Sequence, residues 1–213
     1  MKILAVSDQV VDSLYTTEVK GRFGDVDMIL GCGDLPYDYL EFLVTVINRP
    51  LYYVHGNHDR PFEITADGKR QIAPAGCDPL DERAVVSKGL ILAGLDGSVR
   101  YSREGEFQFT QAQMNQKAFR LALRLMPMRL RRGRWLDVLV THSPPFGVGD
   151  GPDPAHAGFR ALNTLIHLFK PRYLLHGHQH TYLGPKSGTL VESTTVLNVF
   201  PYRLIAWEPG DGR

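Results

Sequence analysis

Four short polar segments of the chain combine residue types that can bind metal ions. They are GCGD at 31–34, GNHD at 56–59, THSPP at 141–145 and GHQH at 177–180. Their carboxylate, amide and imidazole groups are the oxygen and nitrogen ligands that divalent transition metals take in proteins. Each segment directly follows an apolar run, so we interpret the four segments together as one metal site.

The apolar runs that precede these segments are typical of buried β-strands. They include residues 29–30, 51–54, 138–140 and 173–175. The polar residues after such strands lie on loops along one edge of a sheet, where metals and phosphates are commonly bound. The sequence therefore predicts that the four segments meet at one sheet edge.

The wider pattern alternates strands with helices, which predicts a parallel sheet with helices on its faces. Helices are expected near 11–21, 37–47, 110–126 and 158–169, and strands near 2–6, 26–31, 51–54, 84–86, 90–95, 137–140 and 172–176. Three short strands separated by turn residues follow, at 188–192, 195–199 and 203–207. Consecutive hairpins at the end of an alternating chain predict a second, partly antiparallel sheet.

Composition limits the classes of partner. The chain has 213 residues, 43% of them hydrophobic, and a formal net charge of +1, so no global field attracts nucleic acid or a membrane. We expect one domain over residues 1–213, because no linker divides the sequence. The apolar start is too short for a signal peptide, and the two cysteines indicate no disulfide framework. These features predict a cytoplasmic protein.

The motifs as a set resemble the calcineurin-like metallophosphoesterase superfamily, whose blocks run D-x-H, G-D, G-N-H-D/E, a lone His and G-H-x-H. Four blocks are intact here, and the first keeps Asp8 but has Val10 in place of its histidine. The resemblance spans residues 8–180. It implies an α/β fold in which a two-sheet β-sandwich is flanked by helices, in four α/β/β/α layers.

The resemblance also implies a dinuclear metal site. Asp34 would bridge two ions, Asp8 and His180 would bind the first, and Asn57, His142 and His178 would bind the second. This mixture of ligands favours manganese, iron, zinc or cobalt over calcium or magnesium. We expect one or two divalent ions per chain, and the choice of metal stays open.

Val10 removes one ligand from the first site, because a hydrocarbon side chain cannot bind metal. Water or another side chain would complete that shell, and Gln9, Asp12 and His156 are near enough in sequence or loop position to be considered. His156 is expected at the substrate rim or the surface instead. At least one ion is still expected, since Asp8 beside Asp34 would repel without a cation between them.

His58 and Asp59 are the expected catalytic residues. The resemblance implies that His58 points toward the phosphate and stabilises the transition state or protonates the leaving oxygen. Asp59 would then orient His58 and raise its proton affinity. His55 is assigned no ligand role, and His176 is expected to be a hydrogen-bonded structural histidine.

An arginine-rich stretch follows in the second half of the chain. Its members are Arg120, Arg124, Arg129, Arg131, Arg132 and Arg134. We interpret it as the solvated side of an amphipathic helix, whose apolar residues Phe119, Leu123, Met126 and Leu130 recur at helical spacing. Pro127 is expected to kink or end this helix. Nucleic acid is disfavoured as a partner, because aromatic stacking residues are not interleaved with the arginines.

Two functions remain after this reasoning. The leading one is metal-dependent hydrolysis of a small phosphoester by metal-activated water, with a slight preference for phosphodiesters. The alternative is a non-catalytic binding or scaffold protein on the same fold, with an impaired first metal site. The natural substrate and the oligomeric state stay open.

Overall fold

The protein forms two β-sheets with helices on their outer faces. A computed structural model describes residues 1–103, 105–133, 135–180 and 188–208. Its helices are α1 (Val19–Phe23), α2 (Tyr37–Ile47), α3 (Gln111–Arg132) and α4 (Arg160–Phe169), with a 3-10 turn at Asp12–Leu14. Its strands are β1 (Lys2–Val6), β2 (Met28–Cys32), β3 (Leu51–Val54), β4 (Glu63–Ile64), β5 (Arg70–Gln71), β6 (Cys77–Pro79), β7 (Ala84–Ser87), β8 (Leu90–Leu95), β9 (Ser98–Val99), β10 (Gln108–Phe109), β11 (Val138–Thr141), β12 (Tyr173–His176), β13 (Thr189–Val191), β14 (Thr194–Asn198) and β15 (Tyr202–Ala206).

The first sheet has the order β15-β1-β2-β3-β6, and the second has the order β13-β14-β12-β11-β8-β7. In the first sheet β1, β2, β3 and β6 run parallel to one another. In the second sheet β8, β11, β12 and β14 do the same. Antiparallel strands lie only at the edges of these two sheets within the described residues: β15 in the first, β13 and β7 in the second. The carboxyl ends of the parallel strands in each sheet therefore meet along one edge.

Alternation of side chains along each strand produces the layers. In β1, Ile3 and Ala5 pack in the cluster between the sheets, while Leu4 and Val6 pack with residues of α1 and α2. On the second sheet, Ile91 and Ala93 pack with α3 and α4. Because each sheet buries one face against the other and one against helices, the layers run α/β/β/α. This confirms the predicted fold class.

The region between β1 and β2 differs from the helix predicted near 11–21. It contains only the 3-10 turn and the five-residue helix α1. Leu14, Val19 and Phe23 are buried and attach both pieces to α2 and the first sheet. These three tertiary contacts, and not one continuous helical face, fix this connection.

The last of the predicted hairpins is wrong, because its second strand pairs in the other sheet. β13 and β14 form an antiparallel pair in the second sheet, but β15 leaves that sheet and pairs antiparallel with β1. Side-chain alternation in β15 buries Ile205 between the sheets. A local strand pattern does not specify which of two sheet edges will receive the strand, so the sequence alone gave the wrong pairing.

The apolar face predicted for α3 is the wrong one. Phe119, Leu123, Met126 and Leu130 are exposed, at 65%, 50%, 52% and 87%. The face that packs on the second sheet and α4 is instead formed by Met114, Ala118, Leu121 and Leu125. Both sets have the same spacing of four, three and four residues, so periodicity could not choose between them.

Pro127 lies inside α3, which continues to Arg132, so the proline does not end the helix. Arg134 of the arginine-rich stretch lies outside the described residues. No helix among the described residues has the length and apolar content needed to cross a membrane. That residues 1–213 form a single domain stays a prediction.

Candidate metal centre

The predicted site residues lie on the loops that follow β1, β2, β3, β11 and β12, at the carboxyl ends of parallel strands. Hydrogen bonds tie these loops to one another across the two sheets. Asp8 N–H donates to Gly33 O at 3.1 Å, and Gly177 N–H donates to His142 O at 3.0 Å. The His178 N–H donates to both carboxylate oxygens of Asp8, at 3.0 and 3.1 Å. The fold thus brings together segments that are distant in sequence.

Two motif glycines are required by close approach. A Cβ on Gly56 would overlap Asp34 Oδ1 and would lie 2.6 Å from His142 Cε1. A Cβ on Gly177 would overlap Ser7 Oγ and Asp8 Oδ2. In both places the missing side chain lets a backbone segment pack directly against the side chain of a predicted metal ligand.

Three of the predicted ligands have left-handed backbone conformations. Their φ values are 64° for Asp8, 57° for Asp34 and 66° for His178. Residues other than glycine rarely adopt this backbone conformation. Where they do, they cluster at functional sites whose surroundings hold them in place. Here the hydrogen bonds between loops supply that constraint.

Asn57, His142 and His178 converge on one point. His142 Nε2 lies 3.1 Å from Asn57 Oδ1 and 3.1 Å from His178 Nδ1. It lies 3.3 Å from Asp34 Oδ2. All four side chains are at least nine-tenths buried. These are the residues expected at the second metal, with Asp34 as the bridge.

The outer hydrogen bonds of these side chains leave their inner atoms as acceptors. His142 Nδ1–H donates to Cys32 O at 2.8 Å, and His178 Nε2–H donates to Ala155 O at 2.6 Å. The Asn57 amide donates from Nδ2 to Tyr101 Oη at 3.1 Å. Each remaining atom therefore presents a lone pair to the others, which fixes the tautomers in the form that binds a metal.

A single proton cannot pair all the acceptors of this cluster at once. A proton on His142 Nε2 could bond one of the three acceptors that surround it, namely Asn57 Oδ1, His178 Nδ1 or Asp34 Oδ2. A divalent ion could be bound by all four groups at once. The donor set thus fits a resident divalent metal, with two imidazoles, an amide oxygen and a carboxylate.

The pKa shifts indicate the same need for positive charge. Burial lowers the pKa of His142, but the carboxylates of Asp34 and Asp8 outweigh this and raise it to about 9. Burial raises the pKa of Asp34, yet His142 and the His58 N–H bring it down to about 2. Burial and the neighbouring His142 lower the pKa of His178 to about 3. Without a metal, the carboxylates would hold a proton on His142.

The first site is less complete. Asp8 is buried, with a side chain 1% exposed, and accepts a hydrogen bond from Ser7 Oγ. His180 Nε2 lies 3.4 Å from Asp8 Oδ1, but the His180 side chain is 59% exposed and its ring stacks on Phe200. Val10 packs against the core around α1 and α2. One cluster of potential ligand atoms within 4.8 Å joins Asp8, Asp34 and His142 and links the two sites.

The three residues considered as a replacement for the missing ligand make no hydrogen bond to Asp8 or His180. Gln9 and Asp12 are exposed. His156 Nδ1 is hydrogen-bonded to Asp153, at 2.8 and 2.9 Å, and its ring centroid is 5.4 Å from that of His178. His156 thus lies on the rim over the second site.

The two expected catalytic residues do not contact each other as anticipated. The His58 side chain is exposed, while its N–H donates to Asp34 Oδ1 at 2.8 Å. The Asp59 carboxylate accepts three backbone hydrogen bonds, from Gly56 at 2.7 Å, Asp34 at 2.9 Å and Leu35 at 3.0 Å. Asp59 therefore holds the GD and GNHD loops together, and its expected role behind the His58 ring stays a prediction.

Two neighbouring histidines make hydrogen bonds outside this cluster, and for His176 such a bond was expected. His55 Nδ1 bonds Asp96 Oδ2 at 2.9 Å, and its ring stacks on Phe107 at a centroid distance of 4.4 Å. His176 is 2% exposed and bonds the Gly177 carbonyl at 2.9 Å. Burial lowers the pKa of His176 to about 4, so this ring is neutral near neutral pH.

Sequence reasoning missed two groups that orient the ligands. Tyr101, 42% exposed, receives the Asn57 amide hydrogen bond, and the Ala155 carbonyl receives that of His178. Neither belongs to a motif. Ala155 contributes only its backbone, so no side-chain signal could have identified it.

Comparison with known proteins identifies the family of this chain. Residues 1–182 match the calcineurin-like phosphoesterase family, and this chain belongs to that family. The matched span contains every predicted site residue. Family membership supports a metallophosphoesterase, a hydrolase that uses divalent metals and acts on phosphoesters, in broad terms. A search of curated proteins found no match.

Several solved structures share the fold. One crystal structure is 18% identical, with a TM-score of 0.63 over 96% of this chain and 94% of its own. TT1561 of Thermus thermophilus is 16% identical, with a TM-score of 0.60 over 93% and 88%. GAP50, the anchor in the inner membrane complex of Plasmodium, is 12% identical, with a TM-score of 0.54 over 93% and 70%. At these identities the likeness extends to the fold alone.

Proposed function

We propose that this protein is a metal-dependent hydrolase of small phosphoesters, with a preference for phosphodiesters. The observation that carries the proposal is the convergence of Asn57 Oδ1, His142 Nε2, His178 Nδ1 and Asp34 Oδ2, whose contacts with His142 Nε2 are 3.1 to 3.3 Å. A buried cluster of acceptors is unfavourable unless a cation lies among them. Intact ligands at this point weigh against the scaffold alternative.

The proposed ligands form two metal positions. Asn57, His142 and His178 would hold one ion, Asp8 and His180 would hold a second, and Asp34 would bridge the pair. When bound, such ions would lower the pKa of a coordinated water and neutralise charge on the phosphoryl oxygens. The weaker first position, with Val10 beside it, makes partial occupancy the expected state.

His58 is the proposed general acid. Its backbone N–H donates to the proposed bridging carboxylate at 2.8 Å, while its exposed ring is free to face a substrate at the mouth of the site. An alkoxide leaving group is strongly basic and gains from a positioned proton donor, which is the reason for preferring diesters. Asp59 is proposed as a positioning residue for the loops that carry Asp34 and Asn57.

The proposed substrate is a small molecule and not nucleic acid. Arg120 and Arg124 do not form an open basic groove, because both donate hydrogen bonds to Glu82. Arg120 bonds the Glu82 carboxylate at 2.5 and 2.7 Å, and Arg124 bonds the Glu82 carbonyl. A cytoplasmic location is part of the proposal, since both cysteines are free thiols, as in a reducing compartment.

The test is turnover by metal-free protein after addition of manganese, cobalt or zinc. Bis(4-nitrophenyl) phosphate and 4-nitrophenyl phosphate would report diester and monoester hydrolysis. We expect metal-dependent turnover that His142→Ala abolishes. The matched control is His167→Ala, a surface histidine with a side chain 71% exposed and paired with Glu192. If wild-type protein hydrolyses neither ester with any metal, the proposal fails.

A further inference from the structure

Helix α3 has a second apolar face that packs against nothing in the described part of the chain. It consists of Phe119, Leu123, Met126 and Leu130, which we call the outer stripe. Their exposed fractions run from 50% to 87%. Since the opposite face of α3 is already buried on the second sheet and α4, this helix has two apolar faces, as a helix packed between two partners does.

The spacing of the outer stripe selects the kind of partner. Its residues are four, three and four positions apart, which is the a/d repeat of a coiled-coil seam. At 3.6 residues per turn, the stripe spans about 60° of the helix circumference and about 16 Å of its length. Helices that lie on membranes bury a much broader apolar face. A narrow seam of this length is suited to about three turns of one partner helix.

Charge around the stripe selects the partner further. Helix α3 carries one lysine and five arginines and no acidic residue. Glu82 and Asp81 neutralise Lys117, and Glu82 also binds Arg120, but Arg129, which precedes Leu130 on the flank of the stripe, is exposed near the carboxyl end of the helix. A second copy of this chain would bring cations against cations. Flanking charges specify complementary partners in helix pairs, so the fitting partner is acidic.

We propose that the outer stripe of α3 is a docking surface for an acidic amphipathic helix of another protein, with apolar residues at a and d positions and glutamate or aspartate beside them. A four-residue seam is far smaller than the standard interface of about 800 Å² per partner, so binding should be reversible. The proposal does not depend on the phosphoesterase activity, and its test does not measure it.

The test uses two synthetic peptides of three heptads, with leucine at a and d and either glutamate or lysine at e and g. Binding of each labelled peptide to the full-length protein would be followed by fluorescence anisotropy. We expect wild-type protein to bind the glutamate peptide at least about tenfold more tightly than the lysine peptide. Added salt should reduce that preference, because exposed charges are screened.

Two variants distinguish binding at the outer stripe from nonspecific hydrophobic binding. Leu123→Ser combined with Met126→Ser should weaken glutamate-peptide binding by about tenfold or more, without lowering the melting temperature, because both side chains are exposed. The matched control is Leu190→Ser, which changes a leucine that is 70% exposed on β13. The control should bind like wild-type protein.

Several results would overturn the proposal. They are no binding of the glutamate peptide, equal binding of both peptides, or equal loss of binding in the Leu190→Ser control. Two further assays complete the test. If sedimentation shows a dimer that the double variant abolishes, or if the stripe binds phosphatidylserine vesicles but not the peptide, the occupant is a second copy or a bilayer and the proposal is wrong.

Discussion

Replacement of Asp59 by asparagine tests whether this carboxylate positions the loops that carry Asp34 and Asn57 or acts through His58. Asp59 Oδ2 accepts N–H groups from Gly56 and Asp34, and Oδ1 accepts that of Leu35. Asparagine retains one acceptor oxygen and places an NH₂ group where the other oxygen was. We therefore expect one backbone N–H to lose its partner and the two remaining hydrogen bonds to lose their charge.

The magnitudes nearly cancel in the free energy of unfolding. An unpaired N–H costs about 1–3 kcal/mol, and the charge lost from the two remaining hydrogen bonds is already included in the net pKa shift of Asp59. Against this, burial and the neighbouring Asp34 raise the pKa of Asp59 to about 6, so a neutral side chain regains about 3 kcal/mol near neutral pH. We expect the free energy of unfolding to change by less than about 2 kcal/mol. Stability is thus a poor readout of this residue.

Metal affinity should respond more strongly. Asp34 and Asn57 depend on the bracing of their loops, and loss of such outer support typically weakens metal binding by about 10–100-fold. We expect Asp59→Asn to raise the dissociation constant for manganese or cobalt within that range, measured by titration of metal-free protein. The control is Asp67→Asn, which changes an exposed carboxylate in the β4–β5 turn. It should leave the affinity unchanged.

The kinetics distinguish the two roles. If Asp59 positions the loops, activity should recover at saturating metal, and alkyl and nitrophenyl esters should be affected alike. Wild-type metal affinity together with a selective loss of activity on alkyl esters would refute this reasoning. It would instead restore the role that the sequence motif predicts, in which Asp59 acts through His58.

Three other perturbations follow from the structure. His58→Ala should keep the metal content, measured by elemental analysis, but lower turnover of alkyl diesters by about 10²–10⁴, with a smaller effect on nitrophenyl diesters, because a good leaving group needs little protonation; equal rates for wild type and variant would rule out the general acid. Val10→His should raise the number of tightly bound ions per chain from nearer one toward two, and an unchanged metal titration would mean that another group already completes the first site. Glu82 has its pKa lowered to about 2 by Arg120 and Lys117, so its contribution to stability is present above pH 4.5 and lost as pH falls toward 2. In metal-free protein, Glu82→Gln should flatten this part of the pH dependence of the free energy of unfolding, and parallel curves for the two proteins would contradict the ion-pair assignment.

Local sequence was sufficient for the fold class and for which residue types meet in the site. The runs that form β2, β3, β11 and β12 are almost wholly apolar, apart from Thr141 and His176 at the ends of the last two, as expected of strands covered on both faces. The glycine and polar residues after them form compact loops whose ligand types are chemically distinctive. Parallel strands place those loops at one edge, so motif order along the chain translates directly into proximity.

Contacts that join distant segments could not be read in the same way. Asp59 follows His58 in sequence, yet its carboxylate binds backbone groups of the preceding loop, a choice that depends on how two loops pack. The destination of β15 depended on which sheet edge was open. In α3, two stripes with the same spacing lie on opposite faces, and both suit burial.

The sequence by itself therefore determined the two-sheet plan and the residue types that meet at the sheet edge, and it predicted the ligand set and its gap at Val10, because each is encoded in a few neighbouring residues. Only the tertiary structure decided which stripe of α3 is buried, which backbone groups Asp59 braces, and how the protons on His142 and His178 are directed. These features depend on atoms brought together from far along the chain, and the free energy of packing, not local preference, selects among the alternatives.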